Sequence, residues 1–277
     1  MITGRTALVA HIGYPTEAFK APMIYNPWFA AQGIDAVVVP MAVEAADYAV
    51  VLPAVFRMRN VRGALVTMPH KVATAGLVDA LTTTAAIAGS CNAVLRRADG
   101  SLLGGMFDGA GFVRGLQRKG RVIASARALV KGAGGVGSAI AASLAEAGAA
   151  ALGLFDVVPE AALALGKRLQ QHYPALQVST GSDDPAGFNI LVNATPLGMR
   201  DGDPLPFDVD RIAPGTFVGE VVMTEEYTPL LRAARAKDCP VQVGADMLFE
   251  MIPAYLEFFG FGTSTPEELR AVAVLGY

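Results

Sequence analysis

The chain has 277 residues, 53% of them apolar and 17% charged, which is material for two ordinary cores and excludes a disordered chain. A formal net charge of −3 with both signs interspersed asks for neither a nucleic-acid nor a membrane partner, and no apolar run is long enough to span a bilayer. Cys91 and Cys239 lie far apart, the three histidines show no paired spacing, and Met1 to Arg5 lacks a signal-peptide layout; no metal site is expected, and a soluble cytoplasmic protein is.

Strand and helix patterns alternate almost throughout, which predicts α/β layers with mainly parallel sheets. Thr6 to Ile12 reads as a strand. Pro22 opens an apolar helix that Gly33 stops, Ile34 to Val39 is a second strand, and a helix crosses Asp47 to Phe56. The basic run Arg57-Met58-Arg59-Asn60-Val61-Arg62 is short and reads as an exposed helix end and turn. Gly63 to Thr67 is a third strand, Lys71 to Ile87 reads as mostly helical, and Asp99-Gly100 turns a hairpin of Asn92 to Arg96 and Ser101 to Met106. A helix over residues 110–125 is the expected join.

A second series of six strands follows, at Arg127 to Lys131, Ala151 to Phe155, Gln177 to Thr180, Asn189 to Asn193, Thr216 to Val222 and Cys239 to Val243. Helices start at Ser138, at Pro159 and after the Thr228-Pro229 cap; Met247 to Phe259 is a buried helix, and Thr265-Pro266-Glu267-Glu268 is a capping box. The expected layout is two domains: an N-terminal α/β substrate domain of residues 1–110 and 247–277, joined by returning C-terminal helices, and a Rossmann-type doubly wound dinucleotide-binding domain of residues 111–246.

Gly132-Ala133-Gly134-Gly135-Val136-Gly137 is a GxGxxG element between a strand and a helix, the context that a dinucleotide fingerprint requires. Gly132 suits a tight turn, Gly134 a close backbone approach to pyrophosphate, and Gly137 close helix–strand packing, with the helix N-terminus facing the anion. Asp156 ends the next strand, 19 residues beyond Gly137. Its carboxylate can hold ribose hydroxyls and repels a 2′-phosphate, and no Lys or Arg stands in Asp156-Val157-Val158-Pro159, so NAD is expected over NADP. An ordinary turn aspartate ahead of the Pro159 helix is the alternative.

Oxidising a secondary alcohol requires a base for the hydroxyl proton. Lys71 follows the third strand, and Asp108 follows the hairpin in Phe107-Asp108-Gly109-Ala110-Gly111. An ammonium held by a carboxylate suits that task; by spacing alone the two are a surface lysine and a turn aspartate.

At these residues the chain resembles the shikimate/quinate dehydrogenase family over essentially its whole length. Leu65-Val66-Thr67-Met68-Pro69-His70-Lys71 is similar to the family's Asn-Val-Thr-x-Pro-x-Lys. Ser90-Cys91-Asn92-Ala93, Met106 to Gly111, Gly132 to Gly135, Asn193-Ala194-Thr195-Pro196-Leu197-Gly198-Met199, Thr228 to Leu231 and Gly244 to Leu248 match further motifs in order. The resemblance implies that Lys71 and Asp108 are catalytic, that Thr67 and Asn92 contact substrate, and that Asn193, Ala194, Thr195, Val222 and Gly244 line the cofactor. It implies hydride transfer between a nicotinamide cofactor and the CH–OH or keto group of a shikimate-like or quinate-like alicyclic acid, by a monomer or homodimer.

The departures cluster on the substrate side. The family's Ser-x-Ser-Pro-x-x-His-Asn segment aligns with Phe19-Lys20-Ala21-Pro22-Met23-Ile24-Tyr25-Asn26, so Phe19 and Ala21 replace two hydroxyl donors. Leu65 stands for the motif Asn, Met223 for a Tyr, Glu220 for an Asp and Met251 for a Gln. Each lost hydrogen bond to a charged group costs about 1.5–3 kcal/mol, which predicts a divergent substrate and weak shikimate turnover. Lys20 or Tyr25 is the replacement anchor this suggests. An NAD-binding sensor or inactive relative is the alternative, and a folate-linked dehydrogenase of the same plan a third reading.

Overall fold

The N-terminal apolar run forms β1 (Ala7–Gly13), which pairs in parallel with β2 (Ala36–Ala42) on one side and β3 (Val61–Val66) on the other. Between them lie α1 (Ala21–Ala31), with Pro22 in its first turn, and α2 (Tyr48–Val55). β2 starts later than the pattern predicts and contains Pro40, which lacks an N–H for a ladder; the sheet accommodates it because β2 is an edge strand. The computed structural model describes residues 2–17 and 19–274.

The stretch Lys71 to Ile87, expected to be mostly helical, is helical in two pieces with a short strand between them. The segment is α3 (Lys71–Ala75), β4 (Ala80–Leu81) and α4 (Thr83–Ala88). Gly76, a poor helix former, ends α3, and Thr82 restarts the helix by accepting the Ala85 N–H at 3.3 Å. β5 (Ala93–Arg96) and β6 (Leu102–Gly105) form the antiparallel hairpin, which completes a mixed sheet of order β2-β1-β3-β5-β6-β4. Its core joins Ile12, Ala64 and Val94 from the strands to Tyr48 and Leu52 from α2. Burying a side chain such as Leu52 stabilises the fold by about 2 kcal/mol.

α5 (Asp108–Arg118) opens the second series: β7 (Arg127–Lys131), α6 (Gly135–Glu146), β8 (Ala151–Phe155), α7 (Pro159–His172), β9 (Gln177–Thr180), β10 (Ile190–Asn193), β11 (Phe217–Glu220), α8 (Pro229–Arg235) and β12 (Val241–Gln242). All pairings are parallel and the order is β12-β11-β10-β7-β8-β9, a doubly wound sheet whose strand order reverses between β7 and β10. α5 lies so close to α6 that a Cβ on Gly109 would sit 2.0 Å from the Ala139 carbonyl oxygen.

α9 (Gly244–Phe259) and α10 (Pro266–Val272) end the described chain. The chain divides into two units, one from the N-terminal stretch through Phe107 with the stretch from Ile252 onward, the other from Asp108 to Met251. The C-terminal part belongs to the first unit by contact: Arg62 donates to the Phe259 carbonyl at 2.8 Å, and the Val274 N–H donates to the Met23 carbonyl at 2.9 Å. The Thr265–Glu268 capping box is formed in both directions. Among the described residues, no helix is long and apolar enough to cross a membrane.

Candidate active site

In the doubly wound unit the glycine loop joins β7 to α6 at the sheet's reversal point, where ligands of such sheets bind. Gly132 has φ +104°, and a Cβ there would lie 2.7 Å from the Ala194 carbonyl oxygen. At Gly137 a Cβ would lie 1.9 Å from the Gly132 carbonyl oxygen, so α6 can pack against the loop only where no side chain intervenes. Gly134 has nothing within 4 Å of a Cβ position, and no side chain caps α6 there. A cavity of about 800 Å³ opens on this face, lined by Gly132, Gly134, Gly135 and Val136. Asp156, Ala194 and Thr195 line it from the neighbouring strands. Bare backbone at a helix N-terminus, with open space beside it, fits a pyrophosphate group.

Asp156 accepts the Ala133 N–H at 2.7 Å and the Val158 N–H at 2.9 Å. Asn193, fully buried, accepts the Thr195 N–H at 3.1 Å and the Thr195 hydroxyl at 2.7 Å, and donates to the Leu197 carbonyl at 3.0 Å. It therefore shapes the Ala194–Leu197 wall of the cavity from behind. Val222 is fully buried, and a Cβ on Gly244 would lie 2.1 Å from its carbonyl oxygen. Those two sit together, outside the residues lining the cavity, as do Asn193 and Gly137.

Two residues of this pocket, Lys131 and Asp203, escaped the sequence reading, and Glu220 lies outside its lining, behind Asn193. Lys131 lines it with its ammonium 2.7 Å from the Asp183 carboxylate and over the Phe155 ring at 5.1 Å. Asp203 accepts the Gly198 and Arg200 N–H groups at 2.9 and 3.1 Å and so sets the loop that carries Arg200. Glu220, 1% exposed, takes a long 3.4 Å bond from Asn193. Burial pushes its carboxyl pKa up, against hydrogen bonds from Thr228 and Asn193. A lysine immediately before the first glycine was the one available signal.

In the first unit the backbone gathers the expected substrate residues. Thr67 donates its N–H to the Ile12 carbonyl at 3.0 Å, Val66 to that of Asn92 at 2.8 Å, and Cys91 to that of Lys71 at 2.8 Å. Thr67, Lys71 and Asn92 therefore belong to adjoining segments, with Lys71 as the first residue of α3. The Asn92 side-chain oxygen accepts the Phe107 N–H at 2.9 Å, immediately before Asp108, which is 3% exposed at the start of α5. Phe19 stacks on His11 with ring centroids 4.0 Å apart. A Cβ on Gly13 would lie 2.7 Å from the Phe19 ring and 2.4 Å from the Thr67 methyl, so these two flank the end of β1.

Ala21 begins α1, and Tyr25 is 3% exposed inside that helix, with a hydroxyl that meets no partner among the described residues and a pKa raised by burial. Lys20 is exposed. Asn26 holds β2, donating to the Val38 carbonyl at 3.0 Å and accepting the Val38 N–H at 2.7 Å. Met251 packs its Cβ toward Gly111 of α5, and Met223 is exposed. Among the described residues, no cluster of three metal-ligating side chains occurs.

A doubly wound sheet with a glycine-loop pocket, in one chain with a mixed-sheet unit, defines a two-unit α/β oxidoreductase of the nicotinamide-dinucleotide class. The family description "Shikimate dehydrogenase substrate binding domain" matches residues 11–94. The shikimate dehydrogenase (NADP(+)) of Rubrobacter xylanophilus is 39% identical over 251 residues, covering 89% of this chain and 88% of that protein. The shikimate 5-dehydrogenase of Listeria monocytogenes, solved with shikimate and NAD, superposes with a TM-score of 0.91 at 26% identity, covering 99% of this chain and 98% of that one. The quinate dehydrogenase of Corynebacterium glutamicum, solved with NAD, gives 0.83 at 28% identity over 96% and 98% of the two chains. The chain belongs to the shikimate dehydrogenase family.

Proposed function

We propose that this dehydrogenase uses NAD in preference to NADP and acts on an alicyclic hydroxy acid or ketone other than shikimate itself. The observation that carries the altered substrate is the Phe19 ring beside Thr67: an apolar ring occupies the position of a family serine, next to a residue of the expected substrate site. Ala21 in place of the second serine removes another hydroxyl donor. Such a pocket favours a less polar substrate face, because a charged group left without its partners loses about 1.5–3 kcal/mol per bond.

Nicotinamide, when bound, takes up or returns the hydride. Lys71 handles the hydroxyl proton, as base in oxidation and acid in reduction, and Asp108 orients its ammonium. Thr67 and Asn92 hold the ring hydroxyls. Gly132 to Gly137 cradle the pyrophosphate, and Asp156 accepts from the ribose and repels a 2′-phosphate. The Rubrobacter xylanophilus relative is named for NADP(+), whereas both solved structures named above carry NAD. Asp156 at the cavity wall supports NAD for this chain.

Initial rates with shikimate, quinate and a panel of alicyclic hydroxy acids and ketones, each with NAD and with NADP, test the proposal by nicotinamide absorbance. Faster turnover with NAD and a better substrate than shikimate are expected. Efficient shikimate turnover with NADP, at a KM in the usual range of about 1 μM–1 mM, overturns both refinements.

A further inference from the structure

We propose that an arginine-lined groove in the first unit is a binding site for a small polyanion carrying two or more phosphate or carboxylate groups. Arg57 to Asn60 and Arg62 are exposed after α2, while Val61 is buried at the start of β3, and these arginines do not stand alone. The pairing of β5 with β3 brings Arg96 and Arg97 beside them. A groove of about 770 Å³ results, lined by Arg57, Arg59, Arg62, Arg96 and Arg97, with no carboxylate among its lining residues. Five positive charges gather here in a chain whose net charge is −3, so the remainder carries −8 (−3 minus +5).

Two of the five arginines build the groove. Arg96 donates to the carbonyls of Phe56 at 3.4 Å, Met58 at 3.0 Å and Arg59 at 2.5 Å, which ties down the loop that carries Arg57 and Arg59. Arg62 donates to the Phe259 carbonyl at 2.8 Å. Arg57, Arg59 and Arg97 are exposed at the rim. Asp99, two residues beyond Arg97, attracts it from outside the groove's lining while accepting the Ser101 N–H and hydroxyl at 2.9 and 2.7 Å. Like charges packed into a concave surface repel one another and focus a positive field, which a multiply charged anion relieves. Planar guanidinium forks suit the paired oxygens of phosphate and carboxylate alike. The glycine-loop pocket belongs to the other unit and shares no lining residue with this groove.

Isothermal titration of the intact chain tests the site with tripolyphosphate and with citrate as probes, and the arginine variants separate this groove from the glycine loop. Saturable binding of one or both is expected, and the stronger probe distinguishes phosphate from carboxylate. Arg59→Ala and Arg97→Ala should each weaken it about tenfold or more, the loss of one charged hydrogen bond. Arg59→Lys should weaken it as well, because charge without the fork is a poorer match. Lys167→Ala, on exposed α7 surface, should leave it unchanged. Thermal melts of all variants establish that each is folded. Absence of binding for both probes, equal loss in Lys167→Ala, or unchanged affinity in the triple variant of Arg57, Arg59 and Arg97 to Ala overturns the site.

Discussion

The Asp156 carboxylate accepts the Ala133 N–H at 2.7 Å, so the side chain just after β8 braces the glycine loop that leaves β7. Its other oxygen takes the Val158 N–H at 2.9 Å. A carboxylate offers about four acceptor sites, so bracing and ribose binding are compatible. Asp156→Ala removes both and should raise the NAD KM about tenfold or more, at 1.5–3 kcal/mol per charged hydrogen bond. The NADP KM should change less, because repulsion of the 2′-phosphate is lost at the same time. Initial rates with both cofactors measure this; an unchanged NAD KM would reduce Asp156 to a brace.

Gly134 and Gly137 should separate ligand binding from folding. Gly137→Ala places a methyl 1.9 Å from the Gly132 carbonyl oxygen and should destabilise the protein by about 1–3 kcal/mol or more. Gly134→Ala meets nothing within 4 Å and sits at φ −71°, so it should melt with the wild type while binding cofactor less well. Thermal melts paired with NAD titrations read both effects.

Lys71→Ala should lower kcat by about 10²–10⁴-fold, the usual contribution of a positioned acid–base group. NAD affinity and melting temperature should stay near those of the wild type. Asp108→Asn should lower kcat in the same direction. Full turnover by Lys71→Ala, checked by single-turnover kinetics, would remove Lys71 from the chemistry.

His11 gives the stability a slope with pH. Burial lowers its imidazole from 6.5 to about 4. The unfolded chain takes up the proton near 6.5 and the folded one only near 4, so this stabilisation is complete above 6.5 and is lost as pH falls from 6.5 to 4. Its size is roughly 3 kcal/mol by linkage. Urea midpoints measured at about pH 7.5, above that window, and at about pH 4.5, near its lower end, should differ less in His11→Gln. An equal difference would assign the slope to other groups.

What was legible in the chain was what is local. Strand β7, the glycine loop and α6 lie within twenty residues, and each glycine's sterics follow from its place between strand and helix. The Thr265–Glu268 box was likewise readable from four adjacent residues. The strand that interrupts the helical segment after Lys71 was not legible, because its alanines and aliphatics suit a helix, while the pairing that draws β4 out of it comes from β6, more than twenty residues on. Lys131 stood in plain view before Gly132, but its partner Asp183 is 52 positions away. Of the run Arg57 to Arg62, residues 57–60 are the exposed turn that was expected, but Val61 is buried and opens β3. The run's companions Arg96 and Arg97 arrive only through the β3–β5 pairing, which no spacing announces.

The first unit is discontinuous, closed by the Val274–Met23 and Arg62–Phe259 hydrogen bonds near the chain's end. During synthesis its sheet, whose strands all precede Asp108, must wait for its C-terminal helices while the Asp108–Met251 unit emerges from the ribosome as an uninterrupted piece. The order of maturation thus inverts the order of translation: the nucleotide-binding half is ready first, and the half that leads the sequence is sealed last.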